Sequence, residues 1–212
     1  IPLRLVGSEM CIRDRSDVIV LLDNPPGVAV TKATQKSSIV VPQYGDVPAA
    51  GYPTNDFTIV AKNTSASRAS YIRLTDPSCS VLLECSTSVA DAAKNPFDGR
   101  AYSASTNPFE HFTLTKITFA VPAAINQTQS IVTLWHRSGA GVLSTTTLSM
   151  TAAAALAPAA LADVIGVSVL LQGTDPATNG GLIPSNVDLK MTLSTQLRET
   201  LRLSLIHISE PT

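Results

Sequence analysis

From Val187 to Leu197 the chain alternates apolar and polar residues. Val187, Leu189, Met191, Leu193 and Leu197 interleave with Asp188, Lys190, Thr192, Ser194 and Gln196. A period of two held this long places one face of a strand on a core and the other in water, as in an antiparallel sheet. "FTIVAKNTS" repeats the pattern, with Phe57, Ile59 and Ala61 against Thr58 and Lys62, and so does "YIRLTD", with Ile72 and Leu74 against Arg73 and Thr75. "VAVTKA", "SVLLECSTSV", "SIVTLWHRSGAG", "VLSTTTLSM" and "VSVLLQG" read as further β runs, the last with Val167, Val169 and Leu171 inward. In "FTLTKITFAVP" the parity breaks. Phe112 and Leu114 share one face, Ile117, Phe119 and Val121 the other, so a β-bulge near Thr115 or Lys116 is predicted to restore a single buried side.

The segments between these runs are loop-like. Pro25, Pro26 and Gly27 make a break, "YGDVPAAGYPTND" is rich in Gly and Pro, and "NPFDGRAYSASTNPFEH" carries two Asn-Pro-Phe steps, at Asn95 and Asn107, that read as loop or edge. The exception is "TAAAALAPAALADVIG", where alanine and leucine favour helix. Pro158 suits a first helical position and Gly166 a C-terminal cap, which predicts one short helix over residues 158–164. Many short strands, Gly/Pro-rich turns and a single helix make an all-β antiparallel sandwich the expected architecture.

The two ends do not share this patterning. One codon choice for "LSLIHISEPT" has a reverse complement that, read from its second base, encodes "VGSEMCIRD" and the start of an Arg codon, which is the chain from Val6 to Arg15. One oligonucleotide read in both orientations resembles a transposase-type sequencing adapter, so residues 1–15 and 203–212 are expected to be non-native and are left out of fold reasoning. Residues 16–27 then read as a linker or the end of a preceding module, and residues 28–202 as one sandwich module. A fragment of this kind carries no information about a leader or an anchor.

Leaving out the adapter residues lowers Lys+Arg from 15 to 12 and Asp+Glu from 16 to 13, so the net charge stays at −1. Such a chain has no basic run for nucleic acid or anionic lipid, and no apolar run long enough to span a bilayer, so neither nucleic-acid binding nor direct membrane insertion is expected. Charged residues are 15% of the chain, too few for disorder in so apolar a mixture. Cys79 and Cys85 remain after Cys11 is set aside. Six strand steps would hold their Cα atoms about 20 Å apart, against the ~7 Å limit of a disulfide. They either sit on one face of a strand or pair across a tight turn.

Motifs for chemistry are sparse. His111 and His136 have no zinc spacing, there is no CxxC, and no G-x-S-x-G elbow marks a nucleophile. A Ser-His-Asp set stays open, since its members are distant in sequence. Asp175 and Asn179 in "GTDPATNGG" lack the acidic ladder that calcium needs. Asn63-Thr64-Ser65 and Asn126-Gln127-Thr128 match the glycosylation sequon. No catalytic, metal or cofactor-binding residue is assigned, no cofactor is expected, and the chain is not expected to be an enzyme.

"NDFTIVAKNTSASRASYIRLTDP" resembles the Ig-like β-sandwich repeats of large Gram-positive-type bacterial surface proteins, through Asn63, Thr64, Asp76 and Pro77. "VAVTKA" resembles their opening strand, and "LAPAALADVIGVSVLLQGT" with "VDLKMTLSTQLR" resembles the second half of longer modules. The resemblance implies an Ig-like fold and a structural or adhesive role as a stalk or spacer of a secreted or cell-wall protein. Its partners would be neighbouring modules of the same chain and an unidentified surface ligand. It also implies a candidate isopeptide bond between Lys32 and Asn186 beside a carboxylate. The alternative is a carbohydrate-binding or accessory domain of a secreted enzyme, which needs an exposed platform drawn from Trp135, Tyr44, Tyr52, Tyr71 and Tyr102. A phage or capsid-like jelly roll has a similar composition, and a doubly wound strand order would favour it.

Overall fold

A computed structural model describes residues 27–43, 45, 47–76, 108–139, 142–174 and 182–199. They form two four-stranded antiparallel sheets around one apolar core, the all-β sandwich that the alternation predicts. The strands are β1 (Val28–Thr34), β2 (Thr54–Asn63), β3 (Ile72–Asp76), β4 (Phe112–Ala120), β5 (Ile131–Arg137), β6 (Leu143–Ser149), β7 (Val164–Leu171) and β8 (Asp188–Leu197). Short helices α1 (Pro108–His111), α2 (Met150–Ala154) and α3 (Pro158–Leu161) lie between them. One sheet runs β1-β2-β8-β4 and the other β3-β7-β5-β6, so the final strand is central in its sheet.

β8 behaves as its alternation requires: Leu189, Met191 and Leu193 are buried, while Asp188 and Lys190 are exposed and Thr192 and Ser194 half-buried. Leu189 and Met191 meet Leu74 of β3 and Val169 and Leu171 of β7 from the facing sheet, and Leu193 joins the same core. The break of parity in β4 is a bulge at the expected place, with the register against β8 slipping between Leu114 and Lys116. Thr115 is the extra residue, and its hydroxyl donates to the Ser194 carbonyl at 2.9 Å. Leu114 and Ile117 thereby both reach full burial. β7 differs from the one-sided expectation, because all eight of its residues are buried. It runs between β3 and β5, and Trp135 and Ile165 form a small apolar cluster apart from the main core.

The helical prediction needs correction. Pro158 does open α3, but the helix ends at Leu161, and Gly166 is no cap: it lies within β7, opposite Trp135. β-branched Val164, Ile165, Val167 and Val169 favour strand from the end of that turn onward. A separate helix, α2, starts one residue after β6, where the Ser149 hydroxyl accepts the Ala152 N–H as an N-cap. Pro108–His111, read as loop or edge material, forms α1. The Cys79/Cys85 question, the "SVLLECSTSV" run, Asn95, Asn107, Asp175 and Asn179 lie outside the described residues.

Two consequences can be measured by thermal or chaotrope denaturation. Leu193→Ala should lower stability by about 2–5 kcal/mol through lost burial and a residual cavity, whereas Thr192→Ala, on the outer face, should stay within about 0.5 kcal/mol. Deleting Thr115 should destabilise by more than Thr115→Ala, because deletion turns Phe112 and Leu114 away from the core while the alanine keeps the bulge.

Candidate functional site

The inward face of β5 carries Val132 and Leu134 into the core, and His136 is next on the same parity, where the strand reaches the end of the sandwich. The β5–β6 register sets His136 opposite Ser144 and Leu134 opposite Thr146. Against β7 the register slips between Trp135, opposite Gly166, and His136, opposite Val164. That irregularity leaves Asp163, the residue before β7, beside the imidazole. His136 Nδ1 lies 2.7 Å from Asp163 Oδ1, and the Arg137 N–H donates to the Asp163 carbonyl at 2.9 Å. The His136 side chain is 12% exposed and that of Asp163 47%. His136 Nε2 is buried and has no hydrogen-bond partner among the described residues. His136, Asp163, Ser144 and Thr146 line an open groove of about 410 Å³ whose remaining wall is alanine, at Ala159, Ala160 and Ala162.

Charged groups brace this end of the sandwich. Glu110 of α1, with a side chain only 2% exposed, pairs with Arg137 of β5. Arg198, just past β8, donates from Nε to the Phe109 carbonyl at 3.2 Å and from Nη2 to the Ala162 carbonyl at 2.9 Å. α1, α3 and the end of β8 are thus tied together by carbonyl groups that such short helices leave without partners of their own. His111 closes α1, its carbonyl accepting the Arg198 N–H at 2.9 Å, and it takes no part in lining the groove.

A second polar site joins the two sheets along one edge. Lys32 Nζ on β1 lies 2.6 Å from Asp76 Oδ1 on β3, with side-chain exposures of 38% and 6%. The ammonium also sits 5.2 Å from the centroid of the Phe57 ring, and Phe57 packs edge-on to Phe112 at 5.6 Å. This is not the Lys32–Asn186 arrangement expected from the family resemblance. Lys32 is opposite Ile59, while the Asn186 N–H donates to the carbonyl of Asn63, four residues further along β2. Four strand steps amount to about 13 Å. Asn186 instead serves the turn before β8, holding a φ of 60° that asparagine tolerates.

Other marked residues are structural. Asn63 is 1% exposed, donates to the carbonyls of Ser67 and Ile183 and accepts the Ser65 N–H, so its amide offers no glycan site. Asn126 caps its own turn by accepting the N–H groups of Thr128 and Gln129. Trp135 and Tyr52 are buried and Tyr71 is half-buried, while Tyr44 and Tyr102 lie outside the described residues. No group of three metal-ligating side chains occurs among the described residues. Glu110, Ser144 and Asp163 escaped sequence reasoning, and Asp76 was marked only through the family resemblance and not as the partner of Lys32, since each belongs to a pair made across strands or across a helical connection. The parity of His136 with Val132 and Leu134 was the one available sign.

No protein-family model, curated protein or solved structure matches the chain.

Three measurements test these contacts. Intact mass of the folded chain should show no loss of ammonia, as Lys32 and Asn186 lie about four strand steps apart. Lys32→Met should destabilise by about 1–2 kcal/mol by leaving the buried Asp76 carboxylate unpaired, a cost moderated by the exposure of the ammonium. Arg137→Met should cost more, on the order of 3 kcal/mol, because Glu110 is left charged in an apolar setting; the double variant with Glu110→Leu should recover most of that loss.

Proposed function

We propose that this chain is a structural subunit that packs against further copies of itself to build a closed shell, in the manner of a capsid jelly roll. The observation that carries the reading is the nesting of the strand pairs. β5 pairs with β6, β3 with β7 and β2 with β8, and the α2–α3 connection packs on β4. Each pair encloses the next, so the chain follows one long hairpin, folded at β5–β6 and rolled into two sheets. That is the double Greek-key logic of a jelly roll. An immunoglobulin sandwich instead orders its sheets A-B-E-D and C-F-G, with the final strand at an edge. The nested order therefore favours the jelly-roll reading over the Ig-like one.

Composition and surface agree with a role in packing. The interior is filled by apolar side chains, unlike the open barrel of a metal-binding cupin. Of the aromatic residues named for a sugar platform, Trp135 and Tyr52 are buried and Tyr71 is half-buried, so the described residues give the carbohydrate-binding alternative no support. A stalk or spacer of an extracellular surface protein remains the second reading. The Lys32–Asp76 pair favours it, since it fastens the two sheets at one edge against shear.

Sedimentation velocity and negative-stain electron microscopy of the purified full chain, over a range of concentration and ionic strength, separate the two. Rings, capsomer-like clusters or hollow particles are expected. A species that stays single-copy throughout sinks the shell proposal and leaves the stalk reading in its place.

A further inference from the structure

We propose that the groove between the β5–β6 hairpin and α3 is an acyl-transfer site for short carboxylic esters, with Ser144 as nucleophile, His136 as general base and Asp163 as the positioning residue. The inference goes beyond the structural role above and does not depend on it. It begins from the imidazole. The 2.7 Å contact with the Asp163 carboxylate suits an Nδ1–H donor, and in the tautomer with that proton Nε2 is an acceptor. That nitrogen is buried and unpartnered among the described residues. A polar atom left so costs about 1–3 kcal/mol; Asp76 Oδ2 is buried and unpartnered in the same way, but of the two residues only His136 also lines the groove.

Ser144 is the residue opposite His136 in the β5–β6 register. Directly opposed side chains share a face, with Cβ atoms about 4.5–5.5 Å apart. One χ1 rotation of the serine can thus carry Oγ toward the imidazole edge. A nucleophile–base hydrogen bond that is open in the free protein and closes with substrate is ordinary for such sites. Both residues line the same groove, whose volume of about 410 Å³ suits a small molecule. Ala159, Ala160 and Ala162 give it a shallow apolar wall of small side chains, which fits a short acyl chain rather than an aromatic one. The register slip after Trp135 is what aims His136 there.

The step balances without a redox partner. Ser144 Oγ bonds to the ester carbonyl carbon as its proton passes to His136 Nε2. The carbon–oxygen bond to the leaving alcohol breaks, and the alcohol takes that proton. Water then repeats the sequence, giving up a proton to Nε2, releasing the carboxylic acid and restoring the serine.

The test is covalent labelling of the full chain with a fluorophosphonate, read by intact mass and peptide mapping. A single adduct on Ser144 is expected, absent in Ser144→Ala and retained in Thr145→Ala, a change outside the groove; both residues are exposed, so neither change endangers the fold. His136→Gln should slow labelling by at least about 100-fold. Asp163→Asn should lower the first-order rate constant of labelling at saturating probe while the final extent of labelling stays complete, whereas loss of folded protein would lower the extent. The proposal is overturned if the wild-type chain takes up no probe, if Ser144→Ala labels at the wild-type rate, or if folded His136→Gln does so.

Discussion

Leu189, Met191 and Leu193 project from one side of β8 into the core, and the rest of the molecule is arranged around keeping that side dry. β8 pairs with β2 on one flank and with β4 on the other, so any slip in either pairing would turn an apolar row outward. The bulge at Thr115 is the local answer to this constraint. β4 begins with Phe112 and Leu114 on one parity and continues with Ile117 and Phe119 on the other, and a single extra residue lets both halves face inward. The cost of the irregularity is limited because the Thr115 hydroxyl is satisfied by the Ser194 carbonyl. Parity on β8, bulge on β4 and the filled core are one requirement seen at three scales.

Polar chemistry appears where the apolar parity runs out. His136 follows Val132 and Leu134 on the inner face of β5, and Lys32 follows Val28 and Val30 on the inner side of β1, where those valines remain about half exposed. At such margins a charged or titratable side chain reaches water or a partner without being carried into the core. The buried polar groups nearer the core are matched: Thr195 donates to the Asn55 carbonyl at 2.8 Å, and Asn63 spends its amide on two carbonyls. At the margins, two buried atoms, Asp76 Oδ2 and His136 Nε2, are left without a hydrogen-bond partner among the described residues, and of the two only His136 lines the open groove.

The nested pairing also has a kinetic meaning. β2 and β8 meet across more than half the chain, so closing their contact costs more in loop entropy than closing the β5–β6 hairpin. Free edges exposed before such a contact closes invite pairing with other chains. β6, an edge strand, presents a run of threonine and serine, and β1 carries Lys32 on its inner side, features that blunt unplanned edge contacts while leaving specific ones open.

The alternation in residues 187–197, the break of parity at Thr115 and the helical start at Pro158 were legible from the residues alone, because each depends on the backbone periodicity of a few neighbours. The end of α3 was not: Gly166 suited a cap by local rule, yet the adjoining β-branched run paired into the sheet and took the glycine with it. Strand order could not be read either, since one apolar face is as good a partner as another until connections and total burial select among them. The same holds for Asp163 and Ser144 beside His136, and for Asp76 beside Lys32. Sequence decided which faces must be hidden; only the closed tertiary structure, by choosing which strands hide which, decided what polar groups would meet at the rim.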